Sequence, residues 1–175
     1  MGIKADFIAA ERFIDRLRPA DRQKLHRICG EIQAAETELL NQAGPAMDRC
    51  INGCEGICCR NVQLGAIIGV WDLVYILTAA PDYRERMAAC LAKEVPLFAA
   101  DCIFLANGVG PCILPATARA EVCLTTFCSS TDVIAPEIRQ VKRKFYKLGW
   151  FIASRKPRMA WDSLLRLLRR WLKNP

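Results

Sequence analysis

The chain has 175 residues, of which 53% are hydrophobic and 25% are charged, and its formal net charge is +7. This length and composition are typical of one globular domain with a moderate core, and they exclude a long disordered polypeptide. The chain has ten cysteines but a single histidine, His26, so His-rich metal sites and histidine-based catalysis are poor candidates.

The amino terminus and the longest apolar run argue against two kinds of targeting. Residues 1–18 carry charges throughout and contain no uninterrupted apolar stretch, which is not the pattern of a secretory signal. The run from Val62 to Ala80 is interrupted by glycines and polar residues, whereas a membrane span needs about 20 mainly apolar residues. We therefore expect a buried core segment, no transmembrane segment, and a cytoplasmic location in which thiols stay reduced.

The first 45 residues predict a helical hairpin. Apolar residues spaced three and four apart mark both helices: Ile3, Phe7, Ala10, Ile14 and Leu17 in the first, and Leu25, Ile28, Cys29, Ile32, Ala35 and Leu39 in the second. Pro19 suits the opening turn of the second helix, and Gly44-Pro45 is expected to end it.

The middle of the chain predicts two helices, over about residues 70–80 and 82–95. Pro81 stands at the first turn of the later helix. A short strand pair is expected near residues 62–64, and Asn-Gly-Val-Gly at residues 107–110 predicts a turn.

The last third predicts two further helices. The first begins near Pro136 and has an apolar face made of Ile138, Val141, Phe145, Leu148 and Ile152. The second follows Pro157 and is amphipathic. Its apolar face consists of Trp161, Leu164, Leu165, Leu168, Trp171 and Leu172, and its basic face of Arg158, Arg166, Arg169, Arg170 and Lys173. The predicted fold is all-α, a small helical domain with irregular metal-stapled loops. We expect an N-terminal hairpin (1–47), a cysteine-rich region (48–130) and basic helices (131–175) in one compact domain.

Eight cysteines form two groups, which together are the predicted metal ligands: Cys50, Cys54, Cys58 and Cys59, then Cys102, Cys112, Cys123 and Cys128. Such numbers suit two four-thiolate sites or one polynuclear centre, and thiolates favour zinc or iron–sulfur clusters. A disulfide between the adjacent Cys58 and Cys59 would be strained. Metal binding is therefore favoured over thiol redox chemistry and over a disulfide framework. Cys29 and Cys90 lie on apolar helix faces, where a thiol packs as a small hydrophobe.

The cysteine order resembles a zinc- or iron-chelating family written CxxCxxCC, which includes YkgJ-like proteins. The likeness covers residues 48–130. Its landmarks here are the first cysteine group, Asp72 at a helix start, Cys102-Ile103-Phe104-Leu105, Cys112-Ile113-Leu114, Arg119 with Cys123, and Cys128. Both gaps in the first group hold three residues where the family has two, and Ala120 replaces the usual proline. The resemblance implies metal chelation, and the cofactor is expected to be an iron–sulfur cluster or zinc, with iron–sulfur slightly preferred.

Positive charge is concentrated at the carboxyl end. Residues 139–175 contain twelve Lys or Arg and one acid, whereas the remainder contains thirteen basic and seventeen acidic residues. The favoured interpretation is a terminal helix whose Trp-Leu face packs on the domain and whose arginines are solvated. The alternative is that the basic C-terminal helix contacts an anionic surface on a protein, a nucleic acid or a membrane. No nucleic-acid-binding motif accompanies the positive charge, so specific nucleic-acid binding is not expected. We expect a protein or redox partner instead.

The expected function is a metal-binding protein that acts as an electron-transfer, metal-handling or accessory module. One alternative is an oxidoreductase that uses a cluster or a reactive thiol, although no catalytic motif identifies an enzyme. Another is a zinc-stapled adaptor that acts through its basic C-terminal helix.

Overall fold

The computed structural model describes residues 2–44, 59, 62–93, 102–106, 111–127 and 131–155. Within these ranges all regular secondary structure is helical, and the one β feature is an isolated antiparallel bridge between Leu105 and Cys112. The predicted all-α fold class is therefore confirmed.

Seven α-helices lie in the described part of the chain. They are α1 (Ile3–Asp15), α2 (Pro19–Gln42), α3 (Leu64–Ile67), α4 (Val70–Ala79), α5 (Arg84–Ala92), α6 (Glu121–Thr125) and α7 (Ala135–Arg155). Short 3₁₀ turns at Pro81–Tyr83 and Asp132–Ile134 precede α5 and α7.

The two predicted N-terminal helices are confirmed, but the main neighbour of α1 is α4 and the main neighbour of α2 is α7. Helix α2 begins at Pro19 and buries each of its six predicted apolar positions. The buried face of α1 differs from the prediction at its end, because Phe13 is buried while Ile14 is half-buried. Asp6 is buried beside Phe7 on the same face.

The predicted strand pair near residues 62–64 is wrong. The chain there enters α3, and the amide of Ile68 donates to the carbonyl of Leu64 at 2.9 Å. Local helical hydrogen bonds satisfy these backbone groups, since the segment is too short to recruit a partner strand.

Helices α4 and α5 lie within the two predicted stretches, 70–80 and 82–95, and each is shorter than predicted. Seven of the ten residues of α4 are buried, and α1, α2 and α7 all pack against it, so α4 is the central helix. The expected core segment is thus confirmed. None of the described helices is long and apolar enough to cross a lipid bilayer.

Helix α7 lies against α2 and α4. The predicted face of α7 is confirmed at Val141, Phe145, Leu148 and Ile152, which are buried, while Ile138 is half-buried. One hydrophobic core cluster contains residues from α1 and α2, from the cysteine-rich region and from α7.

Several predictions fall outside the described residues. They are the turn at 107–110, the helix after Pro157, and the ligands Cys50, Cys54, Cys58 and Cys128.

Candidate metal centre

Cys102 and Cys112 flank a backbone pairing in the second cysteine group. The amide of Ile113 donates to the carbonyl of Phe104 at 2.8 Å, and the amide of Ala106 donates to the carbonyl of Pro111 at 3.0 Å. This pairing brings the two segments around Leu105 and Cys112 together in an isolated antiparallel bridge. Residues separated by ten positions in sequence are therefore held close in space.

Cys59 joins the first cysteine group to the second. The amide of Cys102 donates to the carbonyl of Cys59 at 2.7 Å. Cys59 is half-buried and packs against the hydrophobic core, whereas Cys102 is buried. One cysteine from each predicted ligand group, Cys59 and Cys102, is thus joined to the other through the backbone.

Asp72 positions the helix that carries Cys123. Its Oδ2 accepts a hydrogen bond from the amide of Gly69 at 3.0 Å and so caps α4. Its Oδ1 accepts one from the amide of Glu121 at 3.3 Å, at the first residue of α6. A single carboxylate therefore ties the start of α4 to the start of α6. The expected helix-start position of Asp72 is confirmed.

Burial and neighbouring thiols both raise the pKa values of two cysteines of the centre, Cys102 and Cys123. Burial, followed by the thiols of Cys112, Cys59 and Cys90, raises the pKa of Cys102 to about 12. Burial also raises the pKa of Cys123, and the thiols of Cys102 and Cys112 add to this increase. Cys123 nevertheless has an exposed surface.

The four described ligand candidates therefore converge but are not arranged as a finished site. Among the described residues, no group of three or more His, Cys, Asp or Glu side chains has the arrangement needed to hold a metal ion. A site built on Cys59, Cys102, Cys112 and Cys123 needs closer approach of these sulfurs on binding, or donors from the rest of the chain. Coupling between metal binding and local folding is common for thiolate sites.

The two remaining cysteines have different surroundings. Cys29 is buried in the core of α2, as predicted, and burial raises its pKa to about 12. Cys90 on α5 packs against the core but is only half-buried. It also lies close enough to Cys102 for its charge to influence that thiol. The sequence prediction placed Cys90 in the core alone and missed its proximity to the centre.

Apolar residues close in sequence to Cys102 and Cys123 are buried or half-buried. Phe104, Leu105 and Leu124 are all buried, and Phe127 is half-buried against the core. The Arg119 guanidinium donates to the carbonyl of Leu114 from two nitrogens, each at 3.4 Å. It thereby stabilises the loop between Cys112 and Cys123.

A buried polar group beside this loop was missed by the sequence analysis. Glu36 on α2 is fully buried, and its Oε2 lies 2.5 Å from the hydroxyl oxygen of Tyr75 on α4. The same hydroxyl lies 3.1 Å from the carbonyl oxygen of Thr117. A signal was present in the sequence, because Glu36 falls four residues after Ile32 on the apolar stripe of α2.

Comparisons with protein-family models, curated proteins and solved structures find no match to this chain. The family resemblance therefore stays a prediction that depends on the order of the cysteines.

Proposed function

We propose that the chain is a metal-binding protein whose cysteine thiolates hold an iron–sulfur cluster or zinc. The observation that carries this proposal is the convergence of Cys59, Cys102, Cys112 and Cys123 from separate segments. Thiols brought together without disulfides favour a soft cation, because its charge offsets the repulsion between neighbouring thiolates. Cys102, Cys112 and Cys123 form no disulfide with one another. We propose a reducing compartment, in which such thiols stay available to a metal.

The surroundings of these thiols suit either cofactor. Buried Phe104, Leu105 and Leu124 limit water access, which protects a cluster and also suits a closed zinc site. When bound, an iron–sulfur cluster supplies one-electron chemistry, whereas zinc supplies a structural cross-link. We retain the slight preference for iron–sulfur and the role of an electron-transfer, metal-handling or accessory module.

The raised thiol pKa values disfavour one alternative. A reactive cysteine needs an accessible thiolate and a lowered pKa. Burial raises the pKa of both Cys102 and Cys123 instead. An enzyme based on a metal-free nucleophilic thiol is therefore poorly supported.

A zinc-stapled interaction adaptor is the second candidate function. The predicted adaptor would act through the basic helix after Pro157, which lies outside the described residues. On α7, Tyr146 and Trp150 are 72% and 79% exposed and could extend such a contact surface. This adaptor would use the metal only to stabilise the fold.

The test compares cysteine variants purified without oxygen. We expect Cys102→Ser, Cys112→Ser and Cys123→Ser each to lower the bound metal per chain and any visible sulfur-to-iron absorbance. Cys29→Ala is the matched control, since it removes a buried thiol from the core of α2 and should leave metal content unchanged.

Three outcomes distinguish the candidates. Coloured protein containing iron and sulfide supports a cluster module. Colourless protein that binds zinc through the same cysteines excludes the cluster and supports a zinc site, which either a metal-handling module or the adaptor would have. Wild-type protein that folds without any metal contradicts both.

A further inference from the structure

One face of α7 points away from the core and combines cations with aromatic rings. Arg139, Arg143, Tyr146 and Trp150 are all exposed on this helix. Successive helical residues turn by about 100°, so these four side chains fall within roughly 60° of arc. They form a straight stripe about 17 Å long, which we call the outward face.

The cations beside the outward face already have acidic partners. Lys144 and Lys147 bind Glu31 at 2.9 and 2.8 Å, and Lys142 lies 3.9 Å from Glu121. These pairs flank the stripe and join α7 to α2 and α6.

The two arginines of the stripe differ from these flanking lysines. Within the part of the chain that the structure describes, neither Arg139 nor Arg143 has a carboxylate within ion-pair distance. Their charge is therefore available to an anionic partner.

The shape of the outward face favours a planar partner. Four exposed side chains in one straight stripe on a helix can all contact a flat surface at once. Tyr and Trp are enriched at the membrane–water interface, where their rings contact acyl chains and their polar atoms stay hydrated. Arg139 and Arg143 would meet lipid phosphates at the same depth.

The chain that follows α7 reinforces this charge. Residues 156–175 contain six Lys or Arg, one acid and two tryptophans. A basic segment that follows α7 in the sequence adds to the attraction to an anionic surface.

From this charge complementarity we propose that the outward face of α7 is a peripheral binding surface for anionic lipid membranes. The inference does not depend on the metal centre, because Arg139, Arg143, Tyr146 and Trp150 lie on a helix that contributes no proposed ligand. Lipid binding would bring the protein to a membrane without crossing it.

The test measures co-sedimentation of the full chain with vesicles of phosphatidylcholine and phosphatidylserine. Vesicles of phosphatidylcholine alone provide the neutral comparison. We expect binding only to the anionic vesicles and weaker binding as salt is raised. Arg139→Gln with Arg143→Gln should lower the partition coefficient roughly tenfold or more. Tyr146→Ala with Trp150→Ala should lower it by a similar factor at constant net charge.

A matched double variant distinguishes binding by the outward face from attraction due to the overall net charge. Lys144→Gln with Lys147→Gln removes the same charge from cations that already bind Glu31, so its effect should be several-fold smaller. Circular dichroism checks that every variant is folded.

Three results would overturn the proposal. The first is no binding to the anionic vesicles. The second is equal losses in the two double-charge variants, which would indicate unspecific attraction. The third is binding of random-sequence duplex DNA or an acidic peptide through the outward face without vesicle binding, which would assign it to another partner.

Discussion

Among single residues, Glu36 carries the clearest physical consequence. The Tyr75 hydroxyl lies within hydrogen-bond distance of two acceptors, the Glu36 carboxyl and the Thr117 carbonyl, but it has one proton to donate. A protonated Glu36 resolves this, because it donates to Tyr75 while Tyr75 donates to Thr117. Burial raises the pKa of Glu36 to about 8. In the ionised state Tyr75 would instead donate to the carboxylate, and this hydrogen bond and Arg119 oppose the shift.

This raised pKa predicts how stability changes with pH. Between about pH 5 and 8 the folded state keeps the Glu36 proton and the unfolded state loses it, so Glu36 lowers the free energy of unfolding as pH rises. The slope is at most about 1.4 kcal/mol per pH unit. We expect Glu36→Gln to match wild type near pH 5 and to exceed its stability near pH 8, as measured by urea unfolding.

The control for this experiment is Glu38→Gln on the same helix. Glu38 is exposed in the folded state, so its replacement should not change the slope. If Glu36→Gln follows the wild-type pH profile, the carboxyl of Glu36 does not hold a proton in the fold.

At the scale of helices, α4 and α7 approach closely at one glycine. A Cβ added to Gly149 would lie 2.8 Å from Cζ3 and 2.9 Å from Cε3 of Trp71. Gly149→Ala should lower the free energy of unfolding by about 1–3 kcal/mol, because overpacking outweighs the helix propensity gained. Urea unfolding followed by helical circular dichroism measures this change.

Gly30 provides the matched control within α2. Nothing lies within 4 Å of a Cβ added there, and Gly30 is exposed. Gly30→Ala should therefore stabilise the protein by up to about 1 kcal/mol. Equal and positive effects at both glycines would contradict the close packing of Trp71 on α7.

The shared cap at Asp72 links α4 to the helix that bears Cys123. Asp72→Ala removes acceptors for two backbone amides and should lower the free energy of unfolding by about 1–2 kcal/mol. Asp72→Asn keeps one carbonyl oxygen and should lower it less.

Metal content is a second readout for these variants. Asp72→Ala should lower both the bound metal per chain and the free energy of unfolding. Asp82→Ala, at an exposed position, should leave both quantities unchanged. Full metal content in a destabilised Asp72→Ala protein would show that α6 does not position a ligand.

The sequence predicted helices well because their apolar residues recur with the helical period, as in α2 and α7. It did not predict Phe13 in the core, since Ile14 beside it fits the same stripe equally well. Cys90 and Glu36 were missed because their neighbours come from distant segments. Only tertiary packing places Cys90 near Cys102 and Glu36 beside Tyr75.

For the whole molecule, metal removal should loosen the cysteine-rich region first. Residues 102–106 and 111–127 include only the five-residue helix α6, while α2 and α7 pack along their lengths. A structural zinc contributes roughly 10–16 kcal/mol in small domains, comparable to the entire stability of many proteins. Hydrogen exchange after chelation should therefore rise in these two segments before it rises in the α2–α7 pair. Unchanged exchange in both segments would contradict this order.

X-ray absorption at the iron and zinc edges of anaerobically purified protein tests the metal centre most directly. We predict a shell of sulfur neighbours at about 2.3 Å around the bound metal, weakened by Cys112→Ser and retained in Cys29→Ala. A metal surrounded only by oxygen or nitrogen, or a folded protein that contains no metal, would contradict the proposed centre.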